Sequence, residues 1–196
     1  MNRLATKLYT YWLRLAFGFP EFGQRTSVHY SCEVSKADAK CIRLGTDVYV
    51  APHVWFNVNQ MPGRPLPEIR IGNGCKIGRR STISCSRRIQ LEPDVLLAPS
   101  VLIMDHNHEY RDINTPIHAQ NTTEGAVVTI GRNCWLGHGV VIVCGKGELT
   151  IGRNCVVGAN AVVTRSFPDY CIIIGNPARV VKRYNPGSSK WEAVNE

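Results

Sequence analysis

Aliphatic residues return every six positions through most of the chain. Ile71, Ile77 and Ile83 open the clearest run, and Leu91, Leu97 and Ile103 resume it after a short phase slip near Arg87-Arg88-Ile89. Ile130, Leu136 and Ile142 form a third run, and Ile151, Val157 and Val163 a fourth. A small residue follows most of these aliphatics, and another sits at the fifth place, as in Ile71-Gly72-Asn73-Gly74-Cys75. Weaker copies start at Leu44-Gly45 and Val50-Ala51. A period of six fits neither an amphipathic helix nor simple strand alternation. It predicts a solenoid of short strands joined by tight corners, with the aliphatic residue pointing into a shared core. Gly or Asn at a corner suits backbone with positive φ. Each buried Ile or Leu contributes roughly 1.5–3 kcal/mol, so a column of them can hold the stack together. A β-sandwich would require the spacing to be coincidence, yet whole units recur: Ile-Gly-Arg-Asn-Cys stands at both Ile130 and Ile151.

The pattern also locates what is not solenoid. Between Ile103 and Ile130 the hexads stop, predicting a protruding loop over 104–127 that holds His106, His108 and His118, three of the six histidines. A long loop leaving a rigid scaffold is a common seat of function. A smaller excursion, Cys144-Gly145-Lys146-Gly147-Glu148, separates Ile142 from Ile151 and is a candidate contact for cofactor or acceptor. Leu4 to Phe17 combines Leu8, Tyr11, Trp12 and Leu15 with Arg3, Lys7 and Arg14, which predicts a short helix. It is read first as a cap over the open first coil and second as an interfacial membrane contact through residues 3–17. The organisation expected is a cap over 1–27, a solenoid over 28–183 and a tail over 184–196. His29 and His53 read as surface or coil residues.

Composition narrows the partners. With 44% hydrophobic and 19% charged residues the chain is globular. A net charge of +8 points to an anionic partner. The basic residues are dispersed and no nucleic-acid-binding signature is present, so nucleic acid is not the expected one. None of the eight cysteines forms a C-x-x-C pair, which argues against a zinc or redox motif. No signal-peptide pattern opens the chain. A cytoplasmic location, possible at the inner face of the membrane, with reduced thiols acting as small core residues is the expectation.

The residues resemble the hexapeptide-repeat acyltransferase superfamily, most closely bacterial polysaccharide and lipopolysaccharide O-acetyltransferases, with maltose and galactoside acetyltransferases as cousins. The resemblance runs from about Leu44 to Trp191. It is carried by Leu97-Ala98-Pro99-Ser100-Val101, Asp105-His106-Asn107-His108, Asn133-Cys134-Trp135-Leu136-Gly137 and Gly175-Asn176-Pro177-Ala178-Arg179-Val180-Val181-Lys182. It implies an all-β, left-handed parallel β-helix, an exception to the usual crossover hand. It also implies a homotrimer with sites between subunits and acetyl-CoA as co-substrate.

By the same resemblance, the last histidine of Asp-His-Asn-His, His108, is the general base; Asp105, His106 and Trp135 are supporting candidates on their own chemistry, Trp135 as a wall of the acyl pocket or a core residue. A sugar hydroxyl is a poor nucleophile at neutral pH, and a histidine that takes its proton contributes ~10²–10⁴-fold. Asp105, Glu109 or Asp112 are candidates to orient that ring. His138, Ala159, Thr164, Arg165, Arg179 and Lys182 are the expected coenzyme A contacts, the basic ones toward phosphate. The sugar-binding Asn and Asp of the cousins are not evident. Arg79, Arg80 and Ser84 stand in that stretch instead, and the arginines favour an acidic or phosphorylated glycan. The expected activity is O-acetyl transfer to a sugar or cell-surface polysaccharide precursor, with no metal required. The alternatives are N-acyl transfer to an amino-sugar nucleotide and a non-catalytic or metal-binding trimer.

Overall fold

The computed structural model describes residues 3–194; the outermost positions of the expected cap and tail, 1–2 and 195–196, lie outside the described residues. The chain winds as a three-faced parallel β-helix whose sheets hold six, nine and five strands. The first face stacks Glu21–Phe22, Ile42–Leu44, Glu68–Ile71, Arg88–Leu91, Val127–Ile130 and Glu148–Ile151 in parallel. The second stacks Ser27–Val28, Tyr49–Val50, Lys76–Ile77, Leu96–Leu97, Trp135–Leu136, Val156–Val157 and Cys171–Ile174. The third runs through Trp55–Val58, Thr82–Cys85, Leu102–Met104, Val141–Val143 and Val162–Val163.

The twelve aliphatics of the six-residue series all lie in the core, none more than 1% exposed. The two kinds of small residue serve different ends. The glycine directly after the aliphatic is there for space: a Cβ on Gly131 would sit 2.6 Å from the backbone nitrogen of Arg153 one coil on, and one on Gly72 would lie 2.7 Å from Pro93. The left-handed backbone falls two residues later and is mostly not glycine. Asn133, Asn154 and Asn160 have φ of 57°, 54° and 59°, and Asp47, His53, Asp94 and Ser100 share the conformation. Asn and Asp tolerate it through local polar contacts. Cys75, Cys134, Cys155 and Cys171, at the fifth place, turn inward at one corner. All eight cysteines are free and buried. His29 departs from the surface reading: it is buried, with Nδ1 2.8 Å from the Ser31 hydroxyl.

Helix α1, Arg3–Ala16, closes the open end. Thr10 serves the unpaired edge of the first coil twice: its hydroxyl donates to the Val28 carbonyl and accepts from the Val28 N–H, both at 3.0 Å. Leu13 is fully buried beneath the helix. The parallel ladder begins at Glu21, inside the segment expected to be only a cap, and the turn near Asn185–Ser189 joins two strands. There Arg179–Asn185 and Lys190–Ala193 add an antiparallel hairpin to the second face, with Trp191 packed on Tyr184 at 5.5 Å. The third face and its two corners carry the candidate site.

Candidate active site

The long loop leaves the third face after Met104 and rejoins the first face at Val127. Its departure is fixed by Asp105, which is fully buried. The carboxylate accepts the backbone N–H groups of Ser86, Arg87 and Arg88 at 2.7, 2.8 and 2.9 Å. Those residues form the phase slip seen in the sequence, where the third coil turns back to the first face. His106 Nδ1 lies 2.9 Å from Oδ1 of the same carboxylate, and the ring is buried. Asp105 is therefore engaged with the turn and with His106. The Cys85 thiol, 3.3 Å from Asp105, is pushed up by burial and then by that negative charge.

Beyond this anchor the loop doubles back as a two-stranded ribbon. Glu109 N–H donates to Asn121 O at 2.7 Å and Thr123 N–H to Asn107 O at 2.8 Å, with His108 opposite Thr122. Side chains alternate across such a ribbon, so His108 faces away from Asn107 and Glu109. Its ring is exposed and has no hydrogen bond to the described residues. Thr122 beside it accepts from Asn59 Nδ2 at 2.5 Å, tying the ribbon to the second coil. Glu109 lies 3.7 Å from Arg111, and Asp112 accepts from the Thr115 hydroxyl and the Asn114 N–H, which lower its pKa in that order.

Glu109 also lines a cavity of about 670 Å³ with Arg64, Arg87, Arg111, Glu124 and Lys146. Of these basic groups, sequence reading placed only Lys146 near cofactor or acceptor, through the Cys144–Glu148 excursion, and gave Arg64, Arg87 and Arg111 no site role. Two irregularities signalled them: the phase slip holds Arg87, and the short second excursion holds Lys146.

The corner between the second and third faces gathers other expected residues. Arg79, His138 and Ala159 are each the second residue after an inward aliphatic, so they occupy one exposed ridge on different coils. Neighbouring coils are spaced by ~4.8 Å. Arg80 follows on the ridge in the left-handed conformation, φ 59°. Ser84 is set apart from both arginines: it is buried, and its hydroxyl accepts from Asn57 Nδ2 at 2.8 Å. Thr164, Arg165 and Arg179 converge with Pro177 and Ala178 on a cleft of about 410 Å³. Lys182 is exposed on the same strand as Arg179, opposite Ala193. Trp135 is no core residue: it is 49% exposed on the outside of the second face, between Leu96 and Val156. Among the described residues, no three His, Cys, Asp or Glu side chains are gathered as a metal site would require.

A family model described as the hexapeptide repeat of succinyl-transferase matches residues 127–165. The chain is 36% identical over 116 residues to a putative lipopolysaccharide biosynthesis O-acetyl transferase, WbbJ, of Escherichia coli, covering 56% of this chain and 58% of that protein. It is 30% identical over 204 residues to the probable acetyltransferase Rv3034c of Mycobacterium tuberculosis, covering 98% of this chain and 62% of that protein. Among solved structures, AntD, an N-acyltransferase from Bacillus cereus in complex with dTDP and 3-hydroxybutyryl-CoA, matches with a TM-score of 0.70 at 16% identity, over 87% of this chain and 86% of that one. That likeness is one of fold. The chain carries a hexapeptide-repeat segment and is similar to acetyltransferases that share it, and its fold is the left-handed parallel β-helix. It spans about three fifths of the length of these curated relatives.

Proposed function

We propose that the protein transfers an acetyl group from acetyl-CoA to a hydroxyl of a sugar or cell-surface polysaccharide precursor, with His108 as general base. The observation that carries this reading is the display of His108: an exposed imidazole on a paired ribbon whose base is pinned by Asp105. In the step proposed, His108 takes the hydroxyl proton as the oxygen attacks the thioester carbonyl. The tetrahedral centre then collapses, the carbon–sulfur bond breaks, and the departing thiolate recovers the proton as coenzyme A. The cleft of Thr164, Arg165 and Arg179, with the ridge bearing His138 and Ala159, is the proposed coenzyme A path. Its two arginines suit phosphate. Lys182 extends that charge along the Arg179 strand. Arg79 and Arg80 face an acidic acceptor in this reading, while Asp105 and His106 position the loop. A homotrimer, with His108 of one copy serving the cleft of the next, is supported by the apolar Leu96 and Trp135 on the outer second face.

Incubation with acetyl-CoA and a panel of acidic and neutral glycans tests the reading. Free coenzyme A and an acetyl ester on one glycan are expected, and His108→Ala is expected to remove both. Ester formation undiminished in that variant removes His108 from the role. N-acyl transfer to an amino-sugar nucleotide is the second reading, favoured by the fold shared with AntD. An alkali-stable amide as the only product would establish it. The O-acyl reading rests on the relation to WbbJ.

A further inference from the structure

Helix α1 presents two apolar faces, and the solenoid uses one. Tyr9, Thr10 and Leu13 turn toward the first coil and close it. Leu4, Leu8, Tyr11, Trp12 and Leu15 recur at i, i+4, i+7, i+8 and i+11, the spacing of a single helical stripe. All five are exposed, Leu4, Leu8 and Leu15 by about two thirds. At 100° per residue the stripe spans roughly a quarter turn, and Arg3 and Lys7 line up along one flank of it, while Arg14 on the same flank donates to the Phe22 carbonyl at 2.7 Å. The helix contains no acidic residue. Trp12 is held edge-on against Phe17 at 4.7 Å, where the helix meets the chain that follows it. An amphipathic stripe with aromatic residues and a basic flank suits the headgroup–acyl boundary of an anionic bilayer.

Fourteen residues extend about 21 Å, short of the ~30 Å hydrocarbon core, and no helix among the described residues is long and apolar enough to cross a membrane. We infer that α1 is a membrane-surface docking element, lying in the plane of an anionic lipid surface with Leu4, Leu8, Tyr11, Trp12 and Leu15 inserted and its basic flank at the headgroups. The solenoid would then stand on its capped end. The His108 loop, which leaves the fourth coil, would be held roughly 20 Å above the surface, within reach of the glycan part of a lipid-linked acceptor. The docking itself is independent of the acyl-transfer reading.

Flotation of the full chain with phosphatidylethanolamine–phosphatidylglycerol vesicles, against phosphatidylcholine vesicles, tests the inference. The protein is expected to float with the anionic vesicles and to be released by salt. The combined Leu4→Ser, Leu8→Ser and Leu15→Ser variant is expected to lose at least about tenfold in partitioning. Arg3→Glu with Lys7→Glu is expected to remove the anionic preference. These positions are exposed, and unchanged thermal melting and mass by light scattering confirm that each variant is folded and assembled. Failure of the native protein to float, or equal flotation of the serine variant, overturns the inference. So does a drop in oligomeric mass in the serine variant, which would make the stripe a contact between copies.

Discussion

Asp105 and His106 form a buried carboxylate–imidazole pair, 2.9 Å apart, at the root of the long loop. A carboxylate that already accepts three backbone N–H groups leaves the donor role to Nδ1. Removing it strips a partner from four donors: the Ser86 N–H and His106 Nδ1 are buried, the Arg87 N–H is part-buried, and the Arg88 N–H keeps only the Ala126 carbonyl at 3.3 Å. Asp105→Ala is therefore expected to lower stability by about 3 kcal/mol or more in chemical denaturation. It is also expected to expose the 104–127 loop to limited proteolysis before the coils. Cleavage of coils and loop together would show that the anchor is not local.

The neighbouring histidines should separate cleanly. His106 is buried and bonded, whereas His108 is exposed. His106→Ala is expected to depress the melting temperature. His108→Ala should leave melting unchanged while turnover falls ~10²–10⁴-fold. Melting curves and coenzyme A release measured on both variants check the split, and reversal of the pattern would exchange their roles.

Glu68 makes the first face sensitive to acid. Burial alone would raise its carboxyl, but hydrogen bonds from Arg88, Arg70 and Arg43, at 2.7–3.1 Å, overcome this and hold it at about 2. Because the folded value lies below the ordinary one, this contribution is fully present above about pH 4.5 and is lost as pH falls toward about 2. The cluster is partly solvated, so Glu68→Gln should cost about 1 kcal/mol at neutral pH. The gap to the native protein should shrink through that acid window. A difference that stays constant from neutral to strongly acidic pH would contradict the linkage.

The coils were legible because each hexad repeats the same demand: Ile130 and Ile151 are buried one above the other in identical five-residue contexts. Periodicity could not tell crowding from backbone conformation, since Gly131 and Asn133 look like the same corner signal but answer to different constraints. The loop was legible only as a break. His106 and His108 stand two residues apart in one motif, and what divides them is the non-local turn at Ser86–Arg88. Arg64, Arg87, Arg111 and Lys146 meet at one cavity from four separate segments, a convergence that no spacing along the chain encodes.

That difference between crowding and conformation yields the last expectation. Gly131→Ala places a methyl carbon 2.6 Å from the Arg153 backbone nitrogen, where relief requires the next coil to shift. A loss of about 1–3 kcal/mol is expected, as for an overpacked core. Asn154 faces no such wall but holds φ at 54° and accepts from Asn133 Nδ2 at 2.7 Å. Asn154→Gly keeps the conformation without a side-chain penalty and loses only an exposed bond, so a loss under about 1 kcal/mol is expected. Denaturant titration of the two variants reads both values. Equal losses would mean that the two glycine-like positions obey one constraint after all.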